Sequence, residues 1–156
     1  LPSGFNSKIK TIDTFNGEIE EAFAPMSVTF TLEDQIDISR GDMIVRPNNQ
    51  PKIKQDIDVM VCWMSEKPLL NNGKYIVKHT SKEVRCMIKE IKYKIDINTL
   101  HRIENDKVIN CNDIARISLR TSLPLFYDEY SNNRNTGAII IVDEGTNNTL
   151  GAGMII

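Results

Sequence analysis

Apolar and polar residues alternate with a period of two through most of this chain. Val28, Phe30 and Leu32 alternate with Thr29, Thr31 and Glu33. Ile91, Tyr93, Ile95 and Ile97 alternate with Lys92, Lys94 and Asp96, and Ile117 and Leu119 with Arg116, Ser118 and Arg120. Successive strand side chains point to opposite faces, so each run predicts a strand with one buried and one wet face. Two runs are apolar on both faces: "DVMVCWM" (58–64) and "AIIIVD" (138–143). They predict central strands covered on both sides. Turn signals punctuate the runs at "NNGK" (71–74), "CND" (111–113), "NRNTG" (133–137) and "EGTNN" (144–148). Only "GEIEEAFAP" (17–25) hints at helix, and it is short enough to be one turn or a bent strand. Many short strands with frequent turns predict an all-β fold, a barrel or a sandwich.

The chain has 156 residues, enough for one ordinary domain or two small ones. The polar stretch "RPNNQPKIKQ" (46–55), with two prolines, is the natural boundary. We therefore expect one unit over 1–47, a linker over 48–55 and a second unit over 56–156. A turn pattern occurs once in each. "ISRGDMIV" (38–45) has an apolar lead-in, a Gly-Asp turn and an apolar exit, and "VINCNDIARISL" (108–119) repeats this with Asn112-Asp113. Gly takes positive φ freely and Asp bonds nearby backbone, so Arg40-Gly41-Asp42 reads as a turn feeding a strand rather than as an adhesion loop.

Nineteen basic residues against 21 acidic ones give a formal charge of −2. A nucleic-acid module usually carries a basic excess, so none is expected as a partner. No apolar run approaches the length of a membrane span, and no targeting tract is visible. Cys62, Cys86 and Cys111 lie far apart, and an odd count without close pairs predicts a reducing, cytoplasmic setting rather than a disulfide framework. His79 and His101 stand alone, so no metal site is predicted. Trp63 reads as core. The first residue is Leu1, which reads as a fragment of a longer protein.

Longer strings carry a family resemblance. "TFNGEIEEAFAPMSVTFTLEDQIDISRGDMIV" resembles the latter part of the second domain of translation-factor-type GTPases. "CNDIARISLRTSLPLF" followed by "TGAIIIVDEGTNNTLGAGMI" resembles the end of their third domain. "LEDQIDISRGDM", "IDINTL" and "YSNNRNTGAIIIVD", in that order, are similar to the large GTP-binding subunit of bacterial sulfate adenylyltransferase. The resemblance implies two translation-factor-like antiparallel β-barrels in series, the first incomplete at its N-terminus with about four strands. It implies a parent enzyme that makes adenosine 5′-phosphosulfate and pyrophosphate from ATP and sulfate, coupled to hydrolysis of GTP with magnesium. It further implies contacts with an upstream GTPase domain and a small catalytic subunit.

A phosphate loop of the form G-x-x-x-x-G-K-[ST] is absent, as is the N-K-x-D guanine signature; "NNQPK" (48–52) is no substitute. The expectation is therefore a chain with no catalytic, cofactor-binding or metal residues of its own. The most distinctive polar stretch is "YSNNRNTG" (130–137). Tyr130, Asn133, Arg134 and Thr136 are its candidate interface residues, with Arg134 suited to bidentate pairing across an interface. Asn133 and Arg134 could equally hold a long loop by bonding its backbone. In a truncated first barrel, "VTFTL" (28–32) or "SKIKTI" (7–12) would present an unpaired edge, the first more so because Lys8 and Lys10 discourage pairing along the second; self-association through the N-terminal third, or a poorly ordered N-terminal third, is expected. The rival reading is a translation-factor barrel pair that binds RNA.

Overall fold

The computed structural model describes all residues 1–156, which divide into two compact units, Leu1–Asn48 and Asn49–Ile156. The smaller unit is an open three-stranded antiparallel sheet of order β2-β1-β3, formed by β1 (Ile9–Thr14), β2 (Gly17–Glu18) and β3 (Thr29–Leu32). Phe15 and Asn16 make the β1–β2 loop, since Thr14 pairs with Gly17. The φ of Gly17 is +114°, a value that favours glycine there. Thr11 and Thr31 share a 2.8 Å cross-strand hydroxyl bond.

Three strands form here where four were expected, and "GEIEEAFAP" contributes β2 and no helix. Of the two candidate edges, residues 7–12 lie in the central strand β1, whereas residues 28–32 supply β3, which is an edge strand as is β2. Beyond the Gly41-Asp42 turn no strand forms over Met43–Val45. Met43 instead exchanges two backbone bonds with Leu1, at 2.8 and 3.1 Å. One reciprocal pair does not make a ladder, so the expected strand is absent.

The larger unit is a closed barrel. Its strands are β4 (Lys52–Trp63), β5 (Lys74–His79), β6 (Lys82–Ile95), β8 (Ile114–Tyr127), β9 (Ala138–Val142) and β10 (Thr149–Ile155). The order is β5-β9-β10-β4-β8-β6, and β6 pairs back to β5 to close it. The two-residue β7 (Arg102–Ile103) sits on the β6 edge. Closure satisfies both backbone edges of every long strand, so the barrel needs no outside partner to complete its ladder. Its interior holds Val59, Val61, Trp63, Val77, Ile88, Ile117, Leu119 and Ile141, each at most 1% exposed. The Trp63 indole N–H donates to the Lys67 carbonyl at 2.7 Å, and the ring meets Tyr75 edge-on at 5.7 Å. On the inner face of β10, a Cβ at Gly153 would lie 2.4 Å from Val59 Cγ1, so the interior leaves room only for glycine.

Three readings of the sequence change in this unit. Residues 52–55, read as linker, begin β4, and Lys52, Ile53 and Lys54 pair with Tyr127, Phe126 and Leu125. Their outer positions are wet, which is why the stretch looks like linker. The β6 alternation shifts phase at two register breaks, between Ile88 and Glu90 and between Ile91 and Tyr93. Each extra residue moves the following side chains to the other face, so Lys94 is turned inward, 9% exposed, while Ile97 beyond the strand is 63% exposed. Finally, β4 and β9 are covered on one side only. Cys62, Met64 and Ile140 are exposed on the outer face.

Candidate functional site

The loop from Asp128 to Gly137 joins β8 to β9 and ends in a single helical turn, α1 (Arg134–Gly137). Asn133 caps that turn, its side chain accepting the Asn135 amide at 3.1 Å. The Thr136 hydroxyl donates to Asp128 at 2.7 Å, and the Asn133 amide group reaches the same carboxylate at 3.5 Å. Tyr130 is half-buried, and its backbone N–H donates to the Ile155 carbonyl at 2.9 Å. A Cβ at Gly137 would lie 2.4 Å from the Tyr130 Cα, so the loop closes on itself at a glycine.

Three of the four candidate interface residues thus hold the loop together. Arg134 is exposed and its side chain makes no hydrogen bond or ion pair, so the alternative in which it braces the loop does not hold. The sequence reading missed His79. Its ring is 2% exposed, and Nε2–H donates to the Thr136 carbonyl at 2.7 Å, tying β5 to the loop. Burial pushes this imidazole below 6.5, the Thr136 bond works against that, and the nearby Lys82 adds to the fall. Fifty-seven positions separate the two residues, and no local pattern links them.

A charged ladder covers the outside of β4, β8 and β6. Asp58 accepts from Lys92 at 2.7 Å and from Arg116 at 2.8 Å. Burial pushes the Asp58 carboxyl up, but these two bonds outweigh it and hold the group below the ordinary range. One step along, Asp56 pairs with Arg120 at 2.7 Å and Lys89 at 3.2 Å. Lys94 pairs with Asp113 and Asp106 at 2.8 and 2.9 Å and donates to the Val108 carbonyl at 3.0 Å. Burial lowers its basicity, yet the two carboxylates raise it overall. A shallow cleft of about 320 Å³ lies beside the break in the β4–β8 register between Lys54 and Asp56, with Lys74, Arg85, Arg120 and Glu144 at its wall. Two of those cations are engaged, Arg85 by Glu144 and Arg120 by Asp56.

No group of three or more His, Cys, Asp or Glu side chains converges as a metal site would require. The three cysteines are unpaired, and burial pushes the Cys86 thiol up to about 12. No helix is long and apolar enough to cross a membrane. The barrel presents a braced loop with one free arginine, a charged ladder and a bare apolar strip.

The closed barrel and its register define the class. Residues 56–156 match the GTP-eEF1A C-terminal domain-like family, and the chain belongs to that family. Within it, the chain is similar to sulfate adenylyltransferase subunit 1 of Bacteroides thetaiotaomicron, 43% identical over the whole chain and 34% of that protein. The subunit 1 of Alteromonas mediterranea is 45% identical, again over the whole chain and 33% of its length. The bifunctional enzyme CysN/CysC of Mycobacterium tuberculosis is 48% identical over the whole chain and 26% of its length. The chain thus spans about a quarter to a third of these curated relatives. Two crystal structures of sup35, with GDP and with GMPPNP, superpose at TM-scores of 0.84 and 0.87, covering 96% and 100% of this chain and 37% and 38% of theirs. Both are 14% identical to it, so this likeness speaks to fold alone.

Proposed function

We propose that this chain is the C-terminal β-barrel region of the large subunit of a GTP-dependent sulfate adenylyltransferase, and that it is a docking scaffold. The parent assembly would join ATP and sulfate into adenosine 5′-phosphosulfate and pyrophosphate, driven by GTP hydrolysis. In this reading the barrels hold the GTPase domain of the same polypeptide and the small catalytic subunit, with Tyr130, Asn133, Arg134 and Thr136 in the contact loop.

The observation that carries the reading is identity of 43% and 45% along the entire chain to proteins named sulfate adenylyltransferase subunit 1. The sequence has no phosphate loop, which supports a chain that binds no nucleotide itself. The RNA-binding alternative needs cations free to meet phosphates. Here Arg116, Arg120, Lys89 and Lys92 already share Asp56 and Asp58.

Calorimetry tests both halves of the proposal. GTP with magnesium should give no binding heat, and the small subunit of a sulfate adenylyltransferase should bind. A micromolar constant for GTP, or no association with the subunit, would overturn the reading.

A further inference from the structure

An asparagine followed by glycine has a nucleophile beside it. Glycine has no Cβ, so its backbone nitrogen can swing onto the carbonyl carbon of the preceding side-chain amide, and asparagine is among the thermolabile residues. Two such pairs occur, Asn16-Gly17 and Asn72-Gly73. Both asparagines are exposed, yet the fold treats their backbones differently.

Asn72-Gly73 is clamped. The Gly73 N–H, on the nitrogen that would attack, donates to the Leu70 carbonyl at 2.9 Å. The Asn72 N–H donates to the Ile88 carbonyl at 2.9 Å, and the Gly73 carbonyl accepts the Ile88 N–H at 3.0 Å, so both residues are tied to a core position of β6. A Cβ at Gly73 would lie 2.7 Å from the Tyr75 ring and 2.8 Å from the Leu70 oxygen, so this peptide has no room to turn. Asn16-Gly17 is held far less. It lies at the tip of the β1–β2 hairpin beside Phe15, whose side chain is fully exposed. Strand β2 is two residues long and is paired on one side only. A Cβ at Gly17 would meet nothing within 4 Å. The Asn16 N–H goes to the Thr14 hydroxyl at 3.2 Å, a bond within the loop itself.

We propose that Asn16-Gly17 is a self-modification site, at which the folded chain converts Asn16 into isoaspartate and aspartate with water as the only co-reactant. The Gly17 nitrogen bonds to the carbonyl carbon of the Asn16 side chain. The side-chain nitrogen leaves as ammonia, taking the proton that the Gly17 nitrogen gives up. Water then opens the five-membered ring, its hydroxyl going to a carbonyl carbon and its proton back to the nitrogen. Opening at the backbone carbonyl gives isoaspartate, with the main chain one carbon longer; opening at the side-chain carbonyl gives aspartate. Nothing is oxidised or reduced.

The consequence falls on the hairpin. Either product puts a carboxylate into the loop that joins Asp13 to Glu18, which already face each other across β1 and β2. Like charges so placed destabilise a strand pair. Isoaspartate also lengthens the loop by one carbon, out of step with the Thr14–Gly17 pair and with the 2.8 Å bond from the Ile19 N–H to the Ile12 carbonyl. The modification is a one-way loosening of β2 from its sheet.

The test is ageing of the intact chain in mildly alkaline buffer, followed by peptide mapping in the mass spectrometer and enzymatic methylation of isoaspartyl carboxylates. Asn16 should convert about tenfold faster than Asn72 in the folded chain, and the two rates should come within about twofold in urea, where the clamp on Asn72 is gone. Hydrogen exchange at the Ile19 amide should speed about fivefold in the isoaspartate form, and less in Asn16→Asp, which adds the charge without the extra carbon. Asn16→Gln should keep that exchange constant through the same ageing. Equal rates at Asn16 and Asn72 in the folded chain, or an Asn16 that converts only in urea, would overturn the site. Conversion with no change at the Ile19 amide would overturn the loosening of β2.

Discussion

Ser39–Asp42 and Asn110–Asp113 are the same turn in two settings. In the first, the Asp42 N–H donates to the Ser39 carbonyl and the Asp42 carboxylate accepts the Ser39 N–H, both at 3.0 Å, with Gly41 at φ +97°. In the second, Asp113 makes the same two bonds with Asn110 at 3.1 and 2.8 Å, with Asn112 at φ +68°. The segments after the two turns differ. Asp113 leads into a strand of 14 residues and is paired with the inward-turned Lys94; its carbonyl accepts the Trp63 N–H at 3.0 Å, and the Asn112 N–H before it donates to the Trp63 carbonyl at 2.7 Å. Asp42 leads into Met43, whose two backbone bonds go to Leu1 and start no ladder. The turn is local chemistry and forms in both places. The strand after it forms only where neighbouring strands stand ready to accept it.

The contrast can be broken most sharply by cutting the chain. Residues 49–156, a closed barrel with its own core, should melt in one cooperative transition followed by circular dichroism. Residues 1–48, with three short strands, should show none, because so small a sheet buries too little apolar surface. A cooperative melt of the short piece would erase the difference. Next in size is Lys94→Met. It leaves the partly exposed Asp106 and Asp113 without their shared cation and should lower the urea midpoint more than Asp42→Asn, which should cost less than about 1 kcal/mol. Equal costs would mean that tertiary support does not separate the two turns.

Gly41→Val comes third. It forces a β-branched residue to positive φ and should destabilise by about 1–3 kcal/mol, while Asn112→Gly at the matching position should be tolerated. The smallest effect is the pH response of His79. Its folded imidazole titrates below the unfolded value of 6.5, so the neutral form is favoured in the fold. Stability should be full above that value and fall as pH drops through 6.5, because the unfolded chain takes up the proton first. His79→Gln should flatten this slope in melts between pH 7 and 5, and an unchanged slope would remove His79 as its source.

Much of the architecture was legible from pattern. The alternations at Val28–Leu32 and Ile117–Leu119 became β3 and β8 with the expected faces inward. The turns at Asn72-Gly73, Asn112-Asp113 and Asp143–Asn147 formed where Gly, Asn and Asp clustered. The candidate loop was legible only in part. Its polar content drew attention to Tyr130, Asn133, Arg134 and Thr136. Which of them brace the loop depended on Asp128 and His79, and His79 arrives from another strand. The β6 register breaks were invisible, since a one-residue bulge leaves composition untouched and reverses every face after it.

By itself the sequence determined the strand-rich class, the places where the chain turns, the phase of most strands and the family resemblance carried by ordered strings. These depend on residue type and spacing along the chain, which act over a few positions. Only the tertiary structure decided that six strands close into a barrel, that residues 52–55 join β4, that Lys94 turns inward to two carboxylates, and that the second apolar face of β4 and β9 stays bare. Each of those depends on which distant strand lies alongside, and pairing between strands dozens of residues apart leaves no mark in either strand alone.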